Sequence, residues 1–242
     1  HERLEAQLAI EKQGRDAPDA VIESLKKGEL NERSWLHGVW ILAHLLGADA
    51  SDELFAITKG GVFGFPRVRE QAIRVLADLH DPVLVEHRLD ASPADDNIAK
   101  RFAEVAQERG SEATLDVVIA LGRLKWAQAP NWMSKNLKSL APVVAHAAQQ
   151  TLRRCGDWPE VLRLLGSRYE PPPRTSSRSI HRVALRALAD QADERVVDWL
   201  AGGLRSVTTV PRQRQEYADL LRRFWNRCAS IRRTRFASRW KR

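Results

Sequence analysis

The chain has 242 residues, of which 43% are hydrophobic and 29% are charged. This length predicts one or two domains, and this composition supports a buried core and excludes a disordered chain. No run of eighteen apolar residues occurs, so the sequence predicts no transmembrane segment. The two cysteines, Cys155 and Cys228, exclude a disulfide scaffold and a CxxC metal or redox motif.

The formal net charge of +8 is concentrated at the C terminus. Residues 222–242 contain nine basic residues and no acidic one, whereas residues 1–221 contain 30 basic and 31 acidic residues. The body therefore carries a net charge of −1, which argues against a phosphate-binding groove built into the fold. The basic, aromatic tail would suit RNA, single-stranded DNA or an anionic membrane. An unfolded tail, or a reading frame shifted near Arg223, explains the same composition.

Helical periodicity dominates the chain from end to end. In residues 68–78, for example, the apolar positions follow the i, i+4, i+7, i+8 spacing of one helix face. Short helices are predicted over residues 17–28, 51–60, 158–166 and 194–204, and longer ones over residues 34–47, 68–78, 115–124, 145–154, 180–190 and 215–224. Residues 80–113 predict an irregular link with its own helix near 96–109, and residues 167–179 predict a Pro-rich insertion.

The longer helices repeat one pattern, a small or apolar residue followed four positions later by a large aliphatic residue. The large residue falls at positions 10, 42, 76, 121, 152, 188 and 221, a mean spacing of about 35 residues. Neither helix of a short–long pair can bury its apolar stripe alone, so we expect consecutive pairs to stack. The sequence predicts an all-α fold: a right-handed α-solenoid of six or seven HEAT-like, armadillo-like helix pairs over residues 1–221. Tetratricopeptide and ankyrin repeats are excluded because their signature motifs are missing.

The longer helices also resemble a particular HEAT region in their order. The segments are SWLHGVWILAHLLG, VREQAIRVLADLHDP, LDVVIALGRL, AHAAQQTLRR and QEYADLLRRF. They resemble the HEAT region of large secreted planctomycete-type proteins described as membrane-bound dehydrogenases or haem-binding proteins, over residues 2–223. The resemblance implies a sugar-dehydrogenase-like propeller before the array, a c-type cytochrome after it, and a periplasmic or cell-envelope location. Because the chain begins at His1, we expect a processed form or a fragment, from which a signal peptide could have been removed.

The chain lacks the motifs of common enzyme and cofactor sites. It contains no CxxCH, so no haem is implied for this chain, and no GxSxG, HExxH, P-loop or GxGxxG. The glycine-rich residues 60–64 predict a turn between helices rather than a phosphate loop. His37 and His44 lie about 10 Å apart along one helix, too far to share a metal ion, and His80 and His87 have the same spacing in a predicted loop. We therefore predict no catalysis, no metal and no cofactor.

The concave surface of a solenoid is its usual binding surface, and here the longer helices would line it. Two ladders of outward-facing residues are predicted: Trp40, Arg74, Ile119, Gln150, Arg186, Asp219, and His44, Asp78, Arg123, Arg154, Asp190, Arg223. The candidate partner contacts are Trp40, His44, Arg74, Arg123, Arg154 and Arg186. The alternative is that arginine and aspartate pair between neighbouring repeats and set their register. Most tryptophans, by contrast, are expected to pack inside or between repeats.

The sequence therefore favours a non-catalytic scaffold that binds a protein partner or neighbouring domains of a longer chain. One alternative is a nucleic-acid-binding HEAT protein of the DNA-glycosylase type. It would need basic charge on the body, so the sequence argues against nucleic acid except through the tail. A second alternative is an enzyme of the HEAT-like chromophore-lyase kind. It would need clustered acidic or histidine residues on the concave face, which the ladders do not provide.

Overall fold

The computed structural model is all-helical over the residues it describes. These residues form thirteen α-helices and one 3-10 helix and contain no β-strand, which confirms the predicted all-α class. The described residues are 5, 8–10, 12, 16–27, 30–59, 65–109, 113–137, 140–165, 178–189, 194–205 and 211–239. The predicted glycine-rich turn at 60–64, Asp190 and residues 167–177 of the Pro-rich insertion lie outside them.

The chain divides into two compact units, residues 1–126 and residues 127–242. The N-terminal unit contains α1 (Asp16–Lys27), α2 (Glu32–Leu46), the 3-10 helix (Gly47–Ala50), α3 (Ser51–Lys59), α4 (Pro66–His80), α5 (Pro82–Glu86), α6 (Asp96–Arg109) and α7 (Thr114–Arg123). The C-terminal unit contains α8 (Ala129–Asn136), α9 (Pro142–Cys155), α10 (Trp158–Arg163), α11 (Arg178–Leu188), α12 (Glu194–Arg205) and α13 (Pro211–Arg239). The helix expected near 96–109 is thus confirmed as α6, and α13 continues past residue 222, where the basic tail was predicted to begin.

Proline residues mark where many of the helices begin. Pro66, Pro82, Pro130, Pro142 and Pro159 each occupy the first or second position of a helix. Proline fits there because the first amides of a helix have no intrahelical acceptor and the ring presets φ near its helical value. Pro82 and Pro130 thus begin α5 and α8, two helices that the repeat pattern does not predict.

Polar caps and glycines complete several helix ends. The Asn31 side chain accepts a hydrogen bond from the Ser34 amide at 3.1 Å at the start of α2, and Asp157 caps α10 in the same way. Gly47 ends α2 with φ of +57° and Gly156 ends α9 with φ of +67°. Those left-handed conformations are strained for any residue with a Cβ, which explains glycine at both positions.

The core of the N-terminal unit lies around α4. This helix packs against α2 and α3, which precede it in the chain, and against α7, which follows it. Its buried side chains include Val68, Ile73 and Leu76, each at most 1% exposed. Burying an aliphatic side chain of this size stabilises a fold by about 1.5–3 kcal/mol relative to leaving it in water. The long helices α2, α4 and α7 therefore share one continuous apolar core.

Helices α3 and α6 add a second set of contacts to this unit. Helix α3 packs against α6, where the Phe55 and Phe102 rings meet edge to face with centroids 5.1 Å apart. The Arg101 guanidinium lies 4.0 Å from the centre of the Phe55 ring and forms a 2.8 Å ion pair with Asp52. A cation–π contact and an ion pair therefore join the same two helices.

In the C-terminal unit, α9 packs against α8 and α11, α10 against α12, and α12 against α13. The contact of α12 with α13 depends on Gly203, because a Cβ built at this position would lie 2.8 Å from Cε2 of the Tyr217 ring. Trp199 meets the same ring edge to face, with centroids 5.4 Å apart. The tyrosine ring thus sits directly on the backbone of α12.

His80 was expected in a loop, but it is the last residue of α4 and belongs to the packed structure. Its Nε2 lies 2.7 Å from the Ser51 hydroxyl, which donates its own proton to the Ala48 carbonyl. His80 Nε2–H is therefore the donor to Ser51. Burial lowers the pKa of His80 from its ordinary value; the charge of Asp95 opposes that shift and the charge of Arg101 adds to it.

This lowered pKa makes stability depend on pH. Below the unfolded-state pKa of about 6.5, the unfolded chain binds the His80 proton more readily than the folded protein does. The contribution of His80 is therefore fully present above that pH and is lost as the pH falls through the lowered pKa. We expect the free energy of unfolding to fall less between about pH 7.5 and pH 5.5 in His80→Gln than in the wild type, measured by chemical denaturation.

Glutamine suits this test because its amide can still donate to Ser51 without acquiring charge. His146→Gln, at an exposed histidine of α9, is the matched control and should leave the wild-type pH dependence unchanged. An identical pH dependence in the wild type and His80→Gln would show that His80 does not contribute.

Candidate functional site

The six predicted partner contacts fall into both units. The N-terminal unit holds Trp40 and His44 on α2, Arg74 on α4 and Arg123 on α7, and the C-terminal unit holds Arg154 on α9 and Arg186 on α11. All are exposed except Arg123, whose side chain is only 19% exposed.

Trp40 is the most unusual of these residues. Its side chain is 43% exposed, whereas Trp35, Trp126, Trp132 and Trp158 are buried as predicted. The exposed ring forms part of a groove of about 430 Å³ between α2 and α4. The groove is lined by Leu36, His37, Trp40, Arg67, Glu70 and Gln71. An exposed indole beside a surface groove is the kind of anchor that recognition sites use.

The two walls of the groove differ in chemistry. Leu36 and Trp40 lie one turn apart on α2 and give an apolar wall. Arg67, Glu70 and Gln71 lie on the side of α4 opposite its buried stripe and give a polar wall. Within the part of the chain that the structure describes, neither Arg67 nor Glu70 forms an ion pair. Both charges are therefore available to a ligand.

Arg74 lies on the same polar side of α4 but has a structural partner. Its Nε donates to Asp116 Oδ1 at 3.2 Å, which links α4 to α7. The Asp116 side chain is 7% exposed, while that of Arg74 is 55% exposed. A buried carboxylate needs a compensating charge, so Arg74 stabilises the packing of α7 on α4. Its outer part remains on the surface.

Arg123 is occupied by two aspartates and is not a free surface cation. It forms an ion pair with Asp78 on α4, and its Nε donates to Asp81 Oδ2 at 3.0 Å. Asp81 is buried and also accepts a 2.9 Å hydrogen bond from the Val83 amide at the start of α5. Asp78 and Arg123 are consecutive members of the second predicted ladder, and here an aspartate and an arginine do pair between neighbouring helices. Arg123 therefore joins α4, α5 and α7.

The first predicted ladder faces solvent in this unit. Trp40, Arg74 and Ile119 lie on the successive contacting helices α2, α4 and α7, and all three are exposed. Ile119 is 43% exposed, the same fraction as Trp40. The surface formed by these three helices therefore presents two apolar side chains and an arginine whose charge is already paired.

The C-terminal unit has a different surface. Arg154 on α9 and Arg182 and Arg186 on α11 are exposed on helices that contact each other, and none of the three has an ion-pair partner among the described residues. Residues 1–126 contain 16 basic and 22 acidic residues, a net charge of −6, whereas residues 127–242 contain 23 basic and 9 acidic residues, a net charge of +14. Nine of these 23 basic residues lie in the tail, so residues 127–221 contain 14 basic and 9 acidic residues, a net charge of +5, and the near-neutral body is an acidic unit followed by a weakly basic segment.

The described residues include side chains of the metal-binding and nucleophilic types. No group of three metal-binding side chains occurs among them. Ser51 and His80 are hydrogen-bonded, and the Ser51 hydroxyl also lies 2.5 Å from the Ala48 carbonyl oxygen. Burial raises the pKa of the Cys155 thiol to about 11, which leaves it as the unreactive thiol at neutral pH.

The chain matches no family model, and no similar protein was found among curated proteins or among solved structures. Within the described residues, no helix has the length and apolar composition needed to cross a membrane.

Sequence reasoning missed the polar wall of the groove and the buried aspartates. Arg67, Glu70, Gln71 and Arg74 follow the i, i+3, i+4, i+7 spacing of one helix face, so their position opposite the apolar stripe was available from the sequence. Nothing in the sequence shows that this face borders Trp40. Asp81 and Asp116 read as ordinary surface acids, and only the packing of α4 and α7 shows that they are buried.

Removing the Arg123 side-chain charge tests the interpretation of the aspartate pairs. In Arg123→Met, Asp81 would remain buried with only the Val83 amide as a partner, so we expect the free energy of unfolding to fall by about 2–3 kcal/mol. Urea denaturation followed by circular dichroism measures this change. Asp81→Asn in the Arg123→Met background should recover part of the loss, because the uncompensated charge is gone.

Arg88→Met is the matched control. Arg88 pairs with Asp90 on the exposed surface, and its loss should have no measurable effect on stability. Equal effects of Arg88→Met and Arg123→Met would contradict the structural role of Arg123.

Proposed function

We propose that this chain is a non-catalytic helical-repeat module that binds a protein partner through the surface of α2, α4 and α7. The observation that carries this proposal is the groove between α2 and α4, where an exposed tryptophan faces two charges without described partners. A large exposed aromatic is costly to leave in water, and such residues are enriched in the binding centres of protein interfaces.

We further propose that the helices form an α-solenoid of HEAT-like pairs. Contacts within each unit support this: α3 packs against α4, α6 packs against α7, and the long helices α2, α4 and α7 contact one another in order. In the C-terminal unit α9 contacts α11, and α10 contacts α12. First helices of these pairs contact first helices and second helices contact second helices, as expected when helix pairs stack as repeats.

A binding role agrees better with the described side chains than an enzymatic one does. The carboxylates buried around α4 and α7, Asp81 and Asp116, are each used by an arginine that holds helices together. Catalytic carboxylates and histidines lie in a cleft where substrate can reach them, and these aspartates face neighbouring helices. The groove itself contains one acidic side chain, Glu70, and lacks the second carboxylate that paired acid–base chemistry uses.

For the longer protein, we propose a secreted, multidomain dehydrogenase–cytochrome type in the cell envelope, with this array between the redox domains. That part of the proposal rests on the resemblance of the long helices in the sequence. In such a protein the array would act as a spacer and docking surface, because repeat arrays give an extended scaffold without chemistry of their own.

Selection from a random peptide library displayed on phage tests the binding role. The full chain is immobilised, and enriched peptides are compared on wild type and on Trp40→Ala. We expect peptides that bind the wild type and lose at least about tenfold in affinity on Trp40→Ala, since tryptophan anchors contribute about 2 kcal/mol or more when removed. Thermal unfolding shows whether the exposed residue can be removed without loss of the fold.

Leu84→Ala is the control for exposed apolar area outside the proposed surface, since Leu84 is 49% exposed on α5 and does not line the groove. Peptides that bind Trp40→Ala as well as the wild type would show that the groove is not the binding surface.

The charge of the C-terminal unit favours a second candidate function, binding to nucleic acid. We expect the full chain to bind a DNA duplex through this unit if that role is real. Reversing charge at Arg154, Arg182 and Arg186 to glutamate should then lower the affinity and reduce the slope of its logarithm against the logarithm of salt concentration. Fluorescence anisotropy measures both quantities. An unchanged slope in the triple variant would limit nucleic-acid binding to the tail and remove this candidate.

A further inference from the structure

The groove between α2 and α4 combines an exposed aromatic face with a carboxylate, which is a recognisable pairing for a cation. Trp40 supplies the indole, and Glu70 on the opposite wall supplies the negative charge. We propose that this groove takes an arginine side chain from a basic segment of the protein partner. The inference rests on the binding role proposed above and specifies the chemistry of the partner.

The two walls of the groove match the two binding properties of an arginine side chain. A guanidinium group stacks on an indole face while its N–H groups donate to a carboxylate, so one side chain satisfies both walls at once. Indole is the strongest of the aromatic side chains in this interaction. Leu36, one turn from Trp40, offers an apolar surface for the methylene groups that precede the guanidinium. Lysine would make the cation–π contact but lacks the planar group that stacks and donates in two directions.

The Glu70 carboxylate is not used in a described ion pair, in contrast to several other acidic residues of this unit. Other acidic residues of this unit are already used: Asp116 by Arg74, Asp78 and Asp81 by Arg123, and Asp52 by Arg101. Glu70 forms no ion pair among the described residues although Arg67 lies one turn earlier on the same helix. A partner arginine would therefore meet an available carboxylate.

The N-terminal unit as a whole is acidic. Its net charge of −6 attracts a basic segment and accelerates its association. Arg67 opposes a cation within the groove, since it is exposed on the same wall as Glu70. It would disfavour ligands whose positive charge extends toward that end of the groove. Removing its charge should therefore strengthen binding.

The test uses the full chain and three fluorescein-labelled peptides of ten residues. The first contains three arginines spaced by alanine and glycine, and the other two carry glutamate or leucine in place of arginine. Fluorescence anisotropy gives the affinities. We expect the arginine peptide to bind most tightly, Trp40→Leu and Glu70→Gln each to weaken it about fivefold, and Arg67→Gln to strengthen it about twofold.

Three variants separate a specific site from general charge attraction. Trp40→Phe keeps an aromatic face and should lose less affinity than Trp40→Leu, which keeps apolar area but no aromatic face. Glu104→Gln removes an exposed acidic charge on α6, outside the groove, and should leave binding unchanged. Equal weakening by Glu70→Gln and Glu104→Gln would overturn the inference, since the attraction would then belong to the whole unit.

The remaining outcomes also decide between the two proposals. Tighter binding of the leucine or glutamate peptide, with loss on Trp40→Leu, would overturn the arginine assignment and leave the groove as a binding surface for another chemistry. No binding by any of the three peptides would also overturn the arginine assignment. The library selection then judges the binding role by itself, because it assumes no chemistry for the partner.

Discussion

The N-terminal unit depends on one constraint, the need of α4 to bury apolar side chains around more than half of its circumference. Val68, Ala72, Ile73, Val75, Leu76 and Ala77 are all nearly inaccessible to solvent. A single neighbouring helix cannot cover so wide a stripe, so α4 requires α2 and α3 on one side and α7 on the other. The order of helices in this unit follows from that requirement. The side of α4 that these contacts leave uncovered carries Arg67, Glu70, Gln71 and Arg74, and it can therefore form a surface.

Charged contacts then fix how α7 sits on α4. Two arginines and three aspartates link these helices and α5, and two of the aspartates are buried. Apolar packing alone tolerates small shifts along the helix axis, whereas a buried carboxylate must meet its guanidinium at hydrogen-bond distance. The pairs therefore set register more than they add stability. They also explain why two of the arginines first expected to contact a partner are not available to one.

Helix type and position were largely predictable, because the long amphipathic segments carry a strong period and their neighbours begin with proline or a polar cap. The helix at 96–109 was predicted inside a link for the same reason. Partners across the packed interfaces were not predictable: Arg123 looks like a surface cation until Asp81 is placed beside it. His80 was expected in a loop because the local sequence does not show that α4 extends to it or that it forms a hydrogen bond with Ser51. In each case the missing information is which two helices meet, and local sequence does not contain it.

The candidate surface also depends on which residues helix periodicity places outside the core and which charges are already paired. On α2, periodicity places Trp35 in the core and leaves Trp40 at the boundary, where it is nearly half exposed. On α4, it leaves Glu70 and Arg67 outside the core; Arg74, one turn after Glu70, is paired with Asp116, and Arg67 forms no ion pair with Glu70 among the described residues. An aromatic face and an unneutralised carboxylate thus meet across one groove because α2 and α4 pack. Both side chains are partly exposed at this boundary, so the arginine ligand we propose would cover both of them at once.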